Sequence, residues 1–273
     1  MDFYRRVLGL GIVAERGGGG GDAGVPLGVP GDSAPLVELR EQPGAAPVPR
    51  AGRLGLYHFA VLLPDRASLG RFVRHLAELG IRAGMADHLV SEAIYLSDPD
   101  GLRIEVYADR PRSLWRRRGR ELLMTTEPLD LPNLLDAAGG EEWRGAPVGT
   151  AIGHVHLSVD DLERADAFYH SALGFDRVVW SYPGALFFSA GGYHHHLGTN
   201  VWARDARPAG EGDARLLEWE LILPTPGEAA GAVESLSSAG WPPDRGPDGA
   251  LARDPWGVGV RIRAARAGGP GPG

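Results

Sequence analysis

The sequence predicts an α+β protein built from repeated βαβββ modules, whose mixed, curved sheets form half-barrels around a metal-containing cavity. Three observations carry that expectation. At three places a period-2 apolar segment gives way to a period-3.6 segment that ends at a glycine. Two DPxG turns, at residues 97–101 (SDPDG) and 253–257 (RDPWG), each open a final strand. These signals recur in one order, the mark of paired repeat units rather than of a doubly wound parallel sheet.

Residues 2–10 (DFYRRVLGL) match the second half of a module helix, so the first module, residues 1–50, is incomplete and lacks its leading strand. Within it, residues 17–31 hold five consecutive glycines and two prolines, and a flexible loop with little to pack is expected there. The second module, 51–112, reads as a strand (54–63, LGLYHFAVLL), a helix (66–79) closed by Gly80, and a last strand (102–106) after the DPDG turn. A connector spans 113–150, with one short helix at 131–137. The third module, 151–205, starts with a strand at 152–159 and a helix at 162–173 closed by Gly174. The fourth, 213–264, has a strand at 216–223, a helix at 227–239 capped by Gly240, and a last strand at 258–262. Residues 265–273 read as a flexible tail.

Composition narrows the function. With 43% hydrophobic and 23% charged residues, the 273-residue chain is that of a globular protein with a sizeable core. Cysteine is absent, which excludes disulfides, thiolate nucleophiles and Cys-ligated metals. A net charge of −7 gives no pull toward nucleic acid or acidic lipid, and Arg116–Arg117–Arg118 reads as a solvated face. No apolar run is long enough to span a bilayer, and the first ten residues have no signal-peptide core, so a cytoplasmic protein without a membrane partner is expected. The unpaired sheet edge of an incomplete first module points to a homodimer.

The nine histidines sort by register. Aligning the strands that precede each helix puts His154 over His58 and Glu218 in the same place in the fourth module. Glu105 lies in the strand LRIEV after the first DPxG turn, and Arg261 holds its place after the second. A carboxylate or imidazole inside an apolar strand must be paired or bound to something. His58, Glu105 and His154 make a two-His, one-carboxylate set, which suits Fe(II) or Mn(II) with open positions. His156, two residues on, faces the same side as His154 and is the alternative ligand. Tyr193 to His196 follow an apolar strand, and His88 precedes Tyr95 in the second module. Imidazoles and a phenol near a metal can take a proton from a hydroxyl. His75 reads as solvated and His170 as a packing or surface residue. Phe59, Tyr182, Phe187, Phe188 and Trp202 are candidates for pocket walls.

GLYHFAVLLPDR (55–66), SEAIYLSDPDG (91–101), IEVYADRPR (104–112), IGHVHLSVDDLERADAFY (152–169) and GGYHHHLGTNVW (191–202) are more specific than any periodicity. On these strings the chain resembles the vicinal-oxygen-chelate (glyoxalase/bleomycin resistance/extradiol dioxygenase) superfamily, in its CatE-type catechol 2,3-dioxygenase branch. The resemblance covers residues 2–262. It implies four βαβββ modules and extradiol cleavage of a small aromatic diol by O₂ at a mononuclear Fe(II), with Mn(II) as the alternative ion. The family's ligand positions fall on His58, His154 and Glu105. Its tyrosine falls on Tyr95, its acid/base histidine on His194 or His195, and a further pocket histidine near His88. The ligand carriers are then modules two and three. Within the same superfamily, the resemblance also admits a glyoxalase-type metal-dependent isomerase or a non-catalytic small-molecule binding or resistance protein.

Overall fold

Capping side chains start the two longest helices, and glycines stop them. Asp65 accepts the Ser68 N–H at 2.7 Å to start one helix, and Thr225 with Glu228 forms a reciprocal capping box at another. At the far ends, Gly80 and Gly240 take φ of +68° and +88°, which a side chain would resist. The computed structural model describes residues 1–13 and 24–265, and the chain divides into two units.

The first unit comprises residues 1–48, 58–154 and 212–214. It opens with α1 (Asp2–Arg6) and an antiparallel sheet of β1 (Gly11–Ile12), β2 (Val25–Gly28) and β3 (Pro35–Leu39). From His58 onward, β4 (Gly55–Leu62) leads into α2 (Arg66–Glu78), β5 (Gly84–Asp87), β6 (Ser91–Ser97) and β7 (Arg103–Asp109). β4 runs parallel to β7, while β6 is antiparallel to both β7 and β5. A small hairpin, β8 (Arg117–Arg118) and β9 (Glu121–Leu122), and α3 (Leu131–Ala137) precede β10 (Ala151–Ser158), whose first four residues belong here. α2 buries Leu69, Phe72, Val73 and Leu76, spaced as the helical period requires.

The second unit comprises residues 49–57, 155–211 and 215 onward. β10 is followed by α4 (Leu162–Asp166), a π-helical turn (Ala167–Ala172), β11 (Asp176–Val179), β12 (Ala185–Ser189) and β13 (Leu197–Asn200). Then come β14 (Glu218–Leu223), α5 (Pro226–Ser238), β15 (Asp244–Gly246), β16 (Gly249–Arg253) and β17 (Gly259–Ala264). β10 is parallel to β13 and β14 to β17, while β11–β12, β12–β13, β15–β16 and β16–β17 pair antiparallel. First and last strands of a set can pair in parallel only across a long connection, which the helix supplies. Leu157, Phe168, Tyr169, Phe188, Leu236 and Val260 form this unit's core.

A buried tyrosine holds each DPxG turn. Tyr4 donates to Asp98 at 2.8 Å in the first unit, and Tyr169 donates to Asp254 at 2.7 Å in the second. Each aspartate also accepts backbone N–H groups inside its turn, from Asp100 and Leu102 or from Trp256 and Val258.

The strand–helix–strand order and the short helix at 131–137 are as the sequence predicts. Residues 17–31 are not wholly the unpacked loop expected of their composition. Residues 17–23 lie outside the described residues, but 25–28 form β2, where Leu27 is fully buried, because the VPLG segment finds β1 and β3 on either side. His75 is not simply solvated: it donates to the Arg6 carbonyl at 2.9 Å and stacks on Trp143. His170 packs as expected, donating to the Phe175 carbonyl. The expected tail lies mostly outside the described residues. Among the described residues, no helix is long and apolar enough to cross a membrane.

Candidate metal centre

The parallel pairing of β4 with β7 sets Ala60 opposite Glu105, and His58 lies on the face of Ala60, two residues back. Across the antiparallel pairing with β6, Tyr95 stands opposite Glu105. Fully buried Ala60, Ala93 and Tyr107 surround this face. His154 arrives on the first half of β10, its ring 5.0 Å from that of Tyr107. It follows Gly153, where a side chain would collide with the Tyr107 hydroxyl. Glycine at 153 is what lets β10 come close enough to present its histidine.

Three side chains converge there. His58 Nε2 lies 3.0 Å from Glu105 Oε2, His154 Nε2 lies 3.3 Å from the same oxygen, and the two imidazole nitrogens are 3.2 Å apart. All three residues are at most 4% exposed. Burial alone would raise the Glu105 carboxyl, but facing His154 and His58 it is held well below the ordinary carboxylate range. Three lone-pair donors at this spacing inside a dry site need a proton or a cation between them. Metal–ligand bonds of about 2.0–2.2 Å leave neighbouring ligand atoms about 3 Å apart, so the donor set fits a divalent metal ion.

Beside it, the Tyr95 ring lies 5.8 Å from the His58 ring, and its hydroxyl is 2.7 Å from His88 Nε2. His88 Nδ1 is 2.7 Å from the Thr125 carbonyl, a partner that nothing in the sequence indicated. His156, the alternative ligand, is engaged elsewhere. Asn200 turns its Oδ1 to the Trp202 N–H and so donates its amide N–H to His156 Nε2 at 3.0 Å.

In the second unit, buried His194 and His195 face each other with their Nδ1 atoms 2.7 Å apart, and Phe187 packs edge-on to His195. Tyr57, Tyr182, Phe187 and Trp202 gather around His156 or one another as an aromatic cluster. Phe188, by contrast, is core, packed on Tyr169. Phe59 is a buried residue of β4.

A mixed sheet with strand–helix–strand connections that carries this candidate donor set defines a class. The model of the Glyoxalase/Bleomycin resistance protein/Dioxygenase superfamily matches residues 1–106 and 151–262, and the chain belongs to that superfamily. More particularly, it is 45% identical over 245 residues to the catechol-2,3-dioxygenase of Bacillus subtilis (strain 168), covering 88% of this chain and 84% of that protein. Solved structures share the fold. One from Bacillus subtilis subsp. subtilis str. 168 has a TM-score of 0.61 at 16% identity, over 96% of this chain and 79% of that one. Glyoxalase I from Zea mays has a TM-score of 0.52 at 17% identity, over 95% of this chain and 85% of that one.

Proposed function

We propose that the protein is an extradiol dioxygenase that inserts O₂ into the ring of a small catechol-like substrate beside its vicinal diol. The buried triangle of His58, Glu105 and His154 carries this reading, in a chain with a catechol-2,3-dioxygenase relative. These three residues hold the metal, with Fe(II) the proposed ion and Mn(II) the alternative. When bound, Fe(II) supplies the one-electron chemistry that ground-state O₂ requires and open positions for a chelating diol. Glu105 contributes the only ligand charge, leaving a net positive site that favours a singly deprotonated diol. Tyr95, with His88 bonded behind its hydroxyl, meets a diol oxygen. His194 or His195 takes the proton released on binding and returns it as the ring opens. The ligands come from a second module at 51–112 and a third at 151–205, joined by the connector at 113–150, with a first module at 1–50 and a fourth at 213–264. A cytoplasmic homodimer is part of the same proposal, and light scattering would report the mass of one chain or two.

The test is anaerobically purified, iron-loaded protein given catechol and ¹⁸O₂. A ring-opened product carrying both ¹⁸O atoms is expected. Turnover of a different substrate without O₂, supported by Zn(II) or Ni(II), would replace it with an isomerase.

A further inference from the structure

The turn between β5 and β6 is fastened from several sides. Asp87 pairs with Glu127 of the connector through both backbone groups, at 2.9 and 2.8 Å. Its side chain accepts the Leu89 N–H at 2.8 Å and binds the Arg110 guanidinium at 2.5 Å. Arg110 also reaches Glu92 at 3.3 Å, and Glu92 takes a two-point bond from Arg66. Arg66 in turn donates to the carbonyl of Asn133 in α3. Leu89 sits at φ +69°, a conformation that a branched side chain adopts only when its surroundings impose it. His88 is the residue enclosed by these fastenings.

A carbonyl oxygen only accepts. The 2.7 Å contact with the Thr125 carbonyl therefore needs the proton on His88 Nδ1. A neutral ring then has a lone pair on Nε2, and the Tyr95 hydroxyl must donate to it across 2.7 Å. With its own proton so committed, Tyr95 meets any further partner as an acceptor.

We propose that the connector around Thr125–Glu127 is a positioning element for the site. Its Thr125 carbonyl, two residues before the Glu127 that pairs with the Arg110-bound Asp87, fixes the His88 tautomer and thereby makes Tyr95 an acceptor toward the bound substrate. Resting on the dioxygenase reading, this says which diol is recognised at Tyr95: one whose oxygen there keeps its proton. Asp87 and Arg110 act through His88 and are positioning residues, not catalytic ones.

Nitrogen-15 NMR of the full-length, iron-free chain, with His88 assigned by a His88→Gln variant, reads the tautomer directly. The wild type is expected to show a protonated, pyrrole-type Nδ1 and an unprotonated, pyridine-type Nε2. Arg110→Met should mix the two tautomers and lower kcat for catechol about tenfold, with KM within about twofold and iron content unchanged. Arg110→Lys should restore most of both signals. Thr125→Val keeps the carbonyl and should change neither. A wild-type His88 with its proton on Nε2 would overturn the proposal. So would an Arg110→Met protein with unaltered tautomer and kcat. If iron-loaded wild type cleaves no catechol while the Nδ1–H signal is present, the dioxygenase reading fails and the lock stands.

Discussion

The strand pair β4–β7 and the strand pair β14–β17 have the same parallel register and opposite contents. In the first, Ala60 faces Glu105 and His58 sits two residues back. In the second, Glu220 faces Arg261 and Glu218 sits two residues back. His58 and Glu105 have side chains 5% and 4% exposed and converge with a second histidine. Glu218 and Arg261 are 30% and 22% exposed and satisfy each other through two bonds, at 2.7 and 2.8 Å. A self-paired, partly wet ion pair needs nothing more, whereas a dry set of acceptors needs a proton or a cation between them. What is common to the repeats is instead the frame: the tyrosine-to-aspartate bond on the DPxG turn is made by Tyr4 with Asp98 and again by Tyr169 with Asp254. The fold repeats its scaffold and varies its site.

The largest expected effect breaks the first strand pair. Glu105→Ala removes the carboxylate and should lower iron affinity and catechol turnover by more than about 100-fold, as judged by metal analysis and oxygen uptake. Next come the two turn bonds, which should behave alike. Tyr169→Phe or Tyr4→Phe deprives a buried aspartate of its hydroxyl partner and should cost about 2–3 kcal/mol in urea unfolding. Unequal losses would show that the two frames are not equivalent. Burial first, and then the adjacent aspartate, raises both phenols above their ordinary pKa. Their contribution is therefore fully present below about pH 10 and is lost as pH rises beyond it, so the Phe variants should show a flatter decline above pH 10 than the wild type.

A smaller effect concerns what lies beside the ligands without being one. Tyr95→Phe should leave iron bound and slow turnover about tenfold, because only the hydroxyl that meets His88 is lost. Loss of iron in this variant would move Tyr95 into the ligand set. The smallest belongs to the second strand pair. Arg261→Met should cost no more than about 1 kcal/mol, since the ion pair is partly exposed, and should leave iron content untouched.

Register made the candidate metal-binding cluster legible in sequence. His58, His154 and Glu105 stood out as polar residues in apolar strands, and the places of Glu218 and Arg261 in the other copy marked where the site would be absent. The connector helix was legible too, from a run of leucines between turn signals. Partnerships set by distant pairing were not. The Thr125 carbonyl on His88 and the Asn200 amide on His156 join residues 37 and 44 positions apart, and no local spacing encodes either. β2 was hidden for the opposite reason. Its four residues lie among glycines and prolines, and only the neighbouring strands give them a place to be buried.

Iron stoichiometry tests the central claim most directly. Wild-type protein and Glu105→Ala would be prepared without oxygen, loaded with Fe(II), passed through a desalting column and analysed for iron before catechol and O₂ are added. About one iron per wild-type chain with catechol-dependent oxygen uptake is expected, and neither in the variant. Full iron and full uptake in Glu105→Ala, or a folded wild type that retains no iron, would contradict it.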